Sequence, residues 1–125
     1  MKEVISTEKG PKAIGPYSQA IKANGLIFTA GQIAFDPATG QIVEGDISQQ
    51  TVRVFENLKA IVEAAGSSLD KVIKCNVYCT DAAHFATINA VYARYFPSDP
   101  PARSFICVSA WHGPFDVEID CIAAI

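Results

Sequence analysis

Two hydrophobic periods alternate along this chain, and a fold built from helices alone or strands alone accommodates only one of them. Ile47, Thr51, Phe55, Leu58, Ile61, Val62 and Ala65 recur at spacings of three and four, which gathers them on one face of an α-helix. A few residues later the period drops to two. Ile73, Cys75, Val77 and Cys79 point one way and Lys74, Asn76, Tyr78 and Thr80 the other, the pattern of a strand with one buried face. A helix and a half-buried strand in succession predict a layered α+β domain.

Local signals mark the remaining elements. Asp46 is placed to cap the first helix, Gln49 completes a capping box three residues on, and Gly66 supplies the C′ position. Asn24-Gly25 lies between two apolar runs, so residues 18–30 read as a β-hairpin with a type I′ turn. Residues 1–6 form a further strand, after which Gly10, Pro11, Gly15 and Pro16 punctuate a loop. Asp36-Pro37-Ala38-Thr39-Gly40 predicts an exposed loop. Thr80 or Asp81 caps a second helix with an apolar stripe of Phe85, Ile88, Tyr92 and Tyr95/Phe96, which stops before Pro97. Strands over residues 102–109 and 116–124 close the chain, joined by a loop containing Gly113-Pro114. The expected architecture is a mixed sheet of about six strands with both helices on one face, the last two strands being neighbours.

Composition bounds what such a domain does. At 125 residues the chain forms one domain. Half of its residues are hydrophobic and 18% charged, against about 25% in a typical soluble domain, so part of the surface is expected to be covered by another subunit. Fourteen Ile and ten Val against three Leu favour a large sheet. Tyr78, Ile106, Val108 and Ile122 are candidates for its outer face, and copies of the same sheet are the cheapest cover. A net charge of −3 provides no general field for a phosphate backbone, which argues against nucleic-acid binding. No apolar run approaches the ~20 residues of a membrane span and the N-terminus lacks a signal-peptide pattern, so a cytoplasmic protein, or one in another compartment reached without a cleaved signal, is expected. Four cysteines without a Cys-x-x-Cys pair read as core thiols. A zinc site from Cys75, Cys79 and His84 is rejected, because strand residues four apart lie about 13 Å apart.

No phosphate-binding glycine loop, nucleophile elbow or metal-ligand cluster is present. Attention falls on a few polar residues in unusual places. Arg103, at the head of an apolar strand behind Pro100-Pro101, is either a rigid fork for a carboxylate or a surface Arg paired with an acid. Glu118, between Val117 and Ile119 on the last strand, is either a general acid/base tuned by the neighbouring Arg103 or a solvated strand residue. Tyr17 follows Ile14-Gly15-Pro16 and offers a hydroxyl or simple packing. Gly31 either lets a ligand approach backbone N–H or ends a strand in a turn. Asn89, beside the Phe85 and Tyr92 stripe, needs polar partners in loop backbone or a ligand.

Several blocks then match one family in order: Ala13-Ile14-Gly15-Pro16-Tyr17-Ser18-Gln19-Ala20, Ala30-Gly31-Gln32-Ile33, the run from Asn57-Leu58-Lys59 to Ala65-Gly66, Phe85-Ala86-Thr87-Ile88-Asn89 with Tyr92, Pro101-Ala102-Arg103-Ser104, and Val117-Glu118-Ile119-Asp120. Over nearly its whole length the sequence resembles the reactive intermediate deaminase family, the YjgF-like or RidA-like proteins also labelled endoribonuclease L-PSP. The resemblance implies a chorismate-mutase-like (YjgF-like) α+β fold, a homotrimer whose sheets form a central barrel, and ligand clefts between subunits. It implies hydrolytic deamination of 2-imino or enamine acids such as 2-iminopropanoate and 2-iminobutanoate to 2-oxo acids and ammonia, with no metal or organic cofactor. In that reading Arg103 clamps the substrate carboxylate, Glu118 handles the attacking water, Tyr17 and Asn89 orient the substrate, and the Gly31 N–H helps bind it. Phe105 stands where the family often has Cys, and the resemblance implies that it borders the substrate pocket; the loop over residues 110–115 replaces the family's usual Leu-Pro-rich connection. The alternatives are an endoribonuclease acting on single-stranded RNA and a non-catalytic ligand-binding or chaperone-like protein.

Overall fold

A computed structural model describes residues 1–109, 111 and 113–125. Ala110 and His112, two residues of the loop expected to depart from the family pattern, lie outside the described residues. The strands are β1 (Glu3–Ile5), β2 (Ala20–Ala23), β3 (Leu26–Thr29), β4 (Phe35–Asp36), β5 (Gln41–Ile42), β6 (Val72–Cys79), β7 (Ala102–Cys107) and β8 (Val117–Ala124); the helices are α1 (Ile47–Ala64) and α2 (Phe85–Tyr95). Six strands form one mixed sheet in the order β1-β2-β3-β8-β6-β7.

The local signals act as their chemistry requires. Asn24 and Gly25 take φ values of 52° and 77°, turning β2 into β3 with Ala23 opposite Leu26. Asp46 accepts from Gln49 N at 2.9 Å while Gln49 Oε1 accepts from Asp46 N at 2.9 Å, closing the capping box of α1. At the other end Gly66 has φ 91°, and the Ser67 and Gly66 N–H groups donate to Val62 O and Glu63 O, a Schellman ending. Asp81 caps a short 3-10 turn, Ala82–His84, through Ala83 N, so α2 starts later, at Phe85. The 36–40 segment is the turn of a small β4-β5 hairpin, held by Ala38 N on Asp36 Oδ1 and by Gly40 N on Asp36 O.

Two expectations change. Ile73 does not face the core: β6 bulges so that Val72 pairs with Ala123 and Lys74 with Ile122, which buries Val72 and leaves Ile73 exposed. The last two strands are not neighbours either. The β6-α2-β7 crossover places β7 parallel to β6 at the sheet edge, and β8 returns antiparallel on the other side of β6.

Both helices cover one face. Phe55 of α1 is fully buried, with its ring 5.6, 4.7 and 5.7 Å from those of Tyr92, Tyr95 and Phe96, joining the two helices above Cys75, Val77 and Ile119 of the sheet. Among the described residues, nothing covers the opposite face. By register it carries Val4, Ile21, Phe28, Ile122, Tyr78 and Ile106, of which Val4, Phe28 and Ile106 are exposed. Val108 lies just past β7, its N–H donating to Cys79 O. Two polar pairs, Lys74 Nζ on Ser104 Oγ at 3.1 Å and Asn76 Nδ2 on Asp120 Oδ1 at 2.8 Å, interrupt the apolar surface.

Candidate functional site: two half-sites on opposite faces

The β6 register divides the expected site residues into two groups. Arg103 pairs with Cys75, a buried residue of the helix-covered face, whereas Glu118 pairs with Tyr78 on the uncovered face. A whole strand and both sheet faces separate them, so Arg103 and Glu118 do not meet within one chain. The expected contact between neighbouring strands fails because β6 occupies the place between them.

Arg103 is held on several sides. Pro100 and Pro101 deliver the chain into β7 with φ restricted, and the Arg103 Nη1 donates to Asn89 Oδ1 of α2 at 2.6 Å. The guanidinium carbon lies 4.8 Å from the ring centre of Tyr92, 5.2 Å from that of Phe105 and 5.8 Å from that of Phe85, a cation–π cage. Asn89 takes one of the five guanidinium N–H groups, leaving a planar fork suited to a carboxylate. Asn89 is therefore a positioning residue for Arg103 in this chain. Below them burial pushes the Cys75 thiol up to about 11, so it stays protonated and takes no part as a nucleophile at neutral pH.

Glu118, Gly31 and Tyr17 form the second group around a cleft of about 270 Å³ that Lys12, Phe35 and Phe115 also line. Gln32 fixes its floor by exchanging backbone hydrogen bonds with Ile119, at 2.8 and 3.0 Å, which brings Gly31 against the Glu118 carboxylate. A Cβ on Gly31 would collide with Glu118 Oε2 and lie 2.7 Å from its Cδ. The missing side chain is thus what lets the carboxylate lie over this backbone. Tyr17 is half exposed, and its hydroxyl accepts from Ile14 N at 3.3 Å. Gln19 holds the loop that carries Tyr17: its Oε1 accepts from Thr7 N and its Nε2 donates to Thr7 O, Gly10 O and Pro11 O. Residue-level reading overlooks both Gln19 and Phe85. The signal for Gln19 is its amide next to a Gly/Pro loop with many backbone groups to satisfy; Phe85 belongs by its spacing to the apolar stripe of α2, yet it is exposed.

The cysteines also divide. Burial pushes Cys79 up to about 11 and Cys121 up to about 12, as suits core thiols, but Cys107 is exposed at the sheet edge, 3.7 Å from Cys79 Sγ. Among the described residues, no group of three His, Cys, Asp or Glu side chains converges and no helix is long and apolar enough to cross a membrane.

The fold, a helix-covered mixed sheet with a caged Arg on one face and a Gly-backed Glu on the other, defines a class of small α+β proteins. The sequence model of the Endoribonuclease L-PSP family matches residues 7–125. A RutC family protein of Pyrococcus horikoshii is 57% identical over 123 residues, covering 98% of each chain. Reactive Intermediate Deaminase A, chloroplastic, of Arabidopsis thaliana is 45% identical over 124 residues, covering 99% of this chain and 66% of that one. The crystal structure of Escherichia coli TdcF with bound serine superposes with a TM-score of 0.93 at 40% identity, covering 98% of each chain. The chain belongs to the endoribonuclease L-PSP family, the YjgF/RidA family of reactive intermediate deaminases.

Proposed function

We propose that the protein hydrolyses reactive 2-imino acids, such as 2-iminopropanoate and 2-iminobutanoate, to 2-oxo acids and ammonia, in clefts formed where copies of the chain meet as a homotrimer. The observation that carries this reading is the Arg103 guanidinium, oriented in advance by Asn89 and three aromatic rings at a sheet edge. A planar fork held this way matches a carboxylate and gives up little freedom on binding it. The serine bound to the E. coli relative and the deaminase name of the Arabidopsis relative support the same substrate class.

The uncovered apolar sheet face supplies the reason for assembly: burying it against other copies brings the Glu118 cleft of one chain towards the Arg103 edge of another. In such a cleft Arg103 binds the substrate carboxylate. Tyr17 and the Gly31 N–H orient the C=N group, with Phe105 as the wall beside it. Glu118 takes a proton from water as the hydroxide adds to the imine carbon. The same carboxyl returns that proton to nitrogen to give the carbinolamine, then takes the carbinolamine hydroxyl proton and passes it to nitrogen as the C–N bond breaks, so that the carbonyl forms and ammonia leaves. Orientation and one acid/base group are enough for so reactive a bond.

The test is release of 2-oxo acid from an imine generated in place by an amino-acid oxidase. Acceleration by wild type that is lost in Arg103→Ala is expected; no acceleration, or full activity in Arg103→Ala, contradicts the reading. The family's endoribonuclease label gives a second reading, against which the net charge of −3 stands. Cleavage of single-stranded RNA that follows the protein through purification and is lost in Glu118→Gln would favour it.

A further inference from the structure

Phe105 and Phe85 are more than a brace for Arg103. Phe85 opens α2 and is 46% exposed, a position where a large apolar ring gains little from the chain's own core. Its ring meets Phe105 edge-on, 4.8 Å between centres at 66°, and both rings flank the same guanidinium. A carboxylate bound to Arg103 has its next carbon one bond away and its side chain one bond further, within reach of these two rings. We propose that Phe105, together with Phe85, selects 2-imino acids with hydrocarbon side chains over those with charged ones. This rests on the deaminase reading above and goes beyond it by naming the group that sets side-chain preference.

Apolar side chains remove the two rings from water, a gain of roughly fourfold in affinity per buried methylene. A second carboxylate would lose its hydration against ring faces whose quadrupole is negative. A cysteine at position 105 would present less apolar surface and leave Phe85 without its edge partner. The selectivity is therefore a consequence of the phenyl ring at this position in this chain.

The experiment compares imines generated from leucine and from glutamate, and in parallel measures calorimetric binding of the two corresponding 2-oxo acids. It uses wild type, Phe105→Ser, Phe85→Ser and the conservative Phe105→Leu, each first shown to melt cooperatively. Wild type is expected to favour the leucine-derived compounds by about tenfold or more. Both Ser variants should bring the ratio towards one, and Phe105→Leu should keep it. A ratio unchanged in both Ser variants, or a wild type that favours the glutamate-derived compounds, overturns the proposal. If wild type turns over both imines through Arg103 with a flat ratio, only the selectivity proposal falls. If no imine is hydrolysed but oxo-acid binding shows the preference and the Ser variants erase it, the deaminase reading falls and the selectivity stands. Should no imine be hydrolysed and neither oxo acid bind, both fall.

Discussion

The Arg103 edge and the Glu118 cleft reach the same end, a polar group held in place, by opposite means. Arg103 is fixed by side chains: one amide and three aromatic rings drawn from α2 and β7. Glu118 lies over backbone: a glycine with no side chain to displace it and a strand bridge at Gln32 that locks the glycine in register. The difference teaches where each half tolerates change. Truncating a ring near Arg103 loosens it by degrees, whereas adding one carbon near Glu118 forces a displacement.

Substitutions break this comparison in order of size. Arg103→Ala should lower kcat/KM for imine hydrolysis on the order of a hundredfold, chiefly through KM, because a charge-assisted pair to the carboxylate is lost. Glu118→Gln, in contrast, should act chiefly on kcat. Steady-state kinetics of both variants check the split, and a KM effect at Glu118 would mean that the two halves do not divide binding from proton transfer. Gly31→Ala comes next, with a loss of about tenfold or more in kcat as the new methyl pushes the carboxylate aside. Since the Gly31 backbone does not take a positive φ, the melting temperature should move little, which thermal denaturation would reveal. Asn89→Ala should raise KM by about tenfold or less, with kcat retained, since it removes one hydrogen bond that orients Arg103 and no contact of Glu118.

The smallest effect is a matter of pH. Cys75 and Cys79, ordinary at 9.0, are pushed up to about 11 by burial, Cys121 up to about 12, and Tyr95 from 10.0 to about 12 by burial and the Glu56 carboxylate it donates to at 2.8 Å. These groups are protonated in the fold and ionise earlier in the unfolded chain, so stability is fully present below about pH 9 and falls as pH rises towards 11 to 12. Urea denaturation should show a constant midpoint from pH 7 to about 8.5 and a declining one above, as the linkage slope requires. Because all four lie in the shared core, the decline should not distinguish the two half-sites.

Much of the fold was legible because local chemistry and burial agree. Asp46 with Gln49, Asn24-Gly25 and Gly66 each demand one backbone geometry, and each is found in it. What sequence could not convey was long-range pairing. Nothing in residues 102–124 tells that β6 will lie between the last two strands, since that follows from a crossover whose length α2 sets. The bulge at Ile73 was hidden for a related reason: an uninterrupted period of two looks the same until its partner strand is known. The same gap affected the site. Arg103, Glu118, Tyr17, Gly31 and Asn89 could be named from type and neighbours, yet pairing Arg103 with Glu118 in one chain assumed an adjacency the topology denies. Cys107 read as core because its neighbours are apolar, and only its place on the edge strand exposes it.

The central claim is that the caged Arg and the Gly-backed Glu complete one another across copies of the chain. Subunit complementation tests it most directly: Arg103→Ala and Glu118→Ala proteins, each only weakly active alone at substrate well below the wild-type KM, are unfolded together, refolded as an equal mixture and assayed for imine hydrolysis under that condition. Clefts built from two different copies predict recovery of roughly a quarter of wild-type activity, since that share of interfaces joins an intact Arg103 to an intact Glu118. A mixture of exchanged subunits that is no more active than its parents would contradict the account.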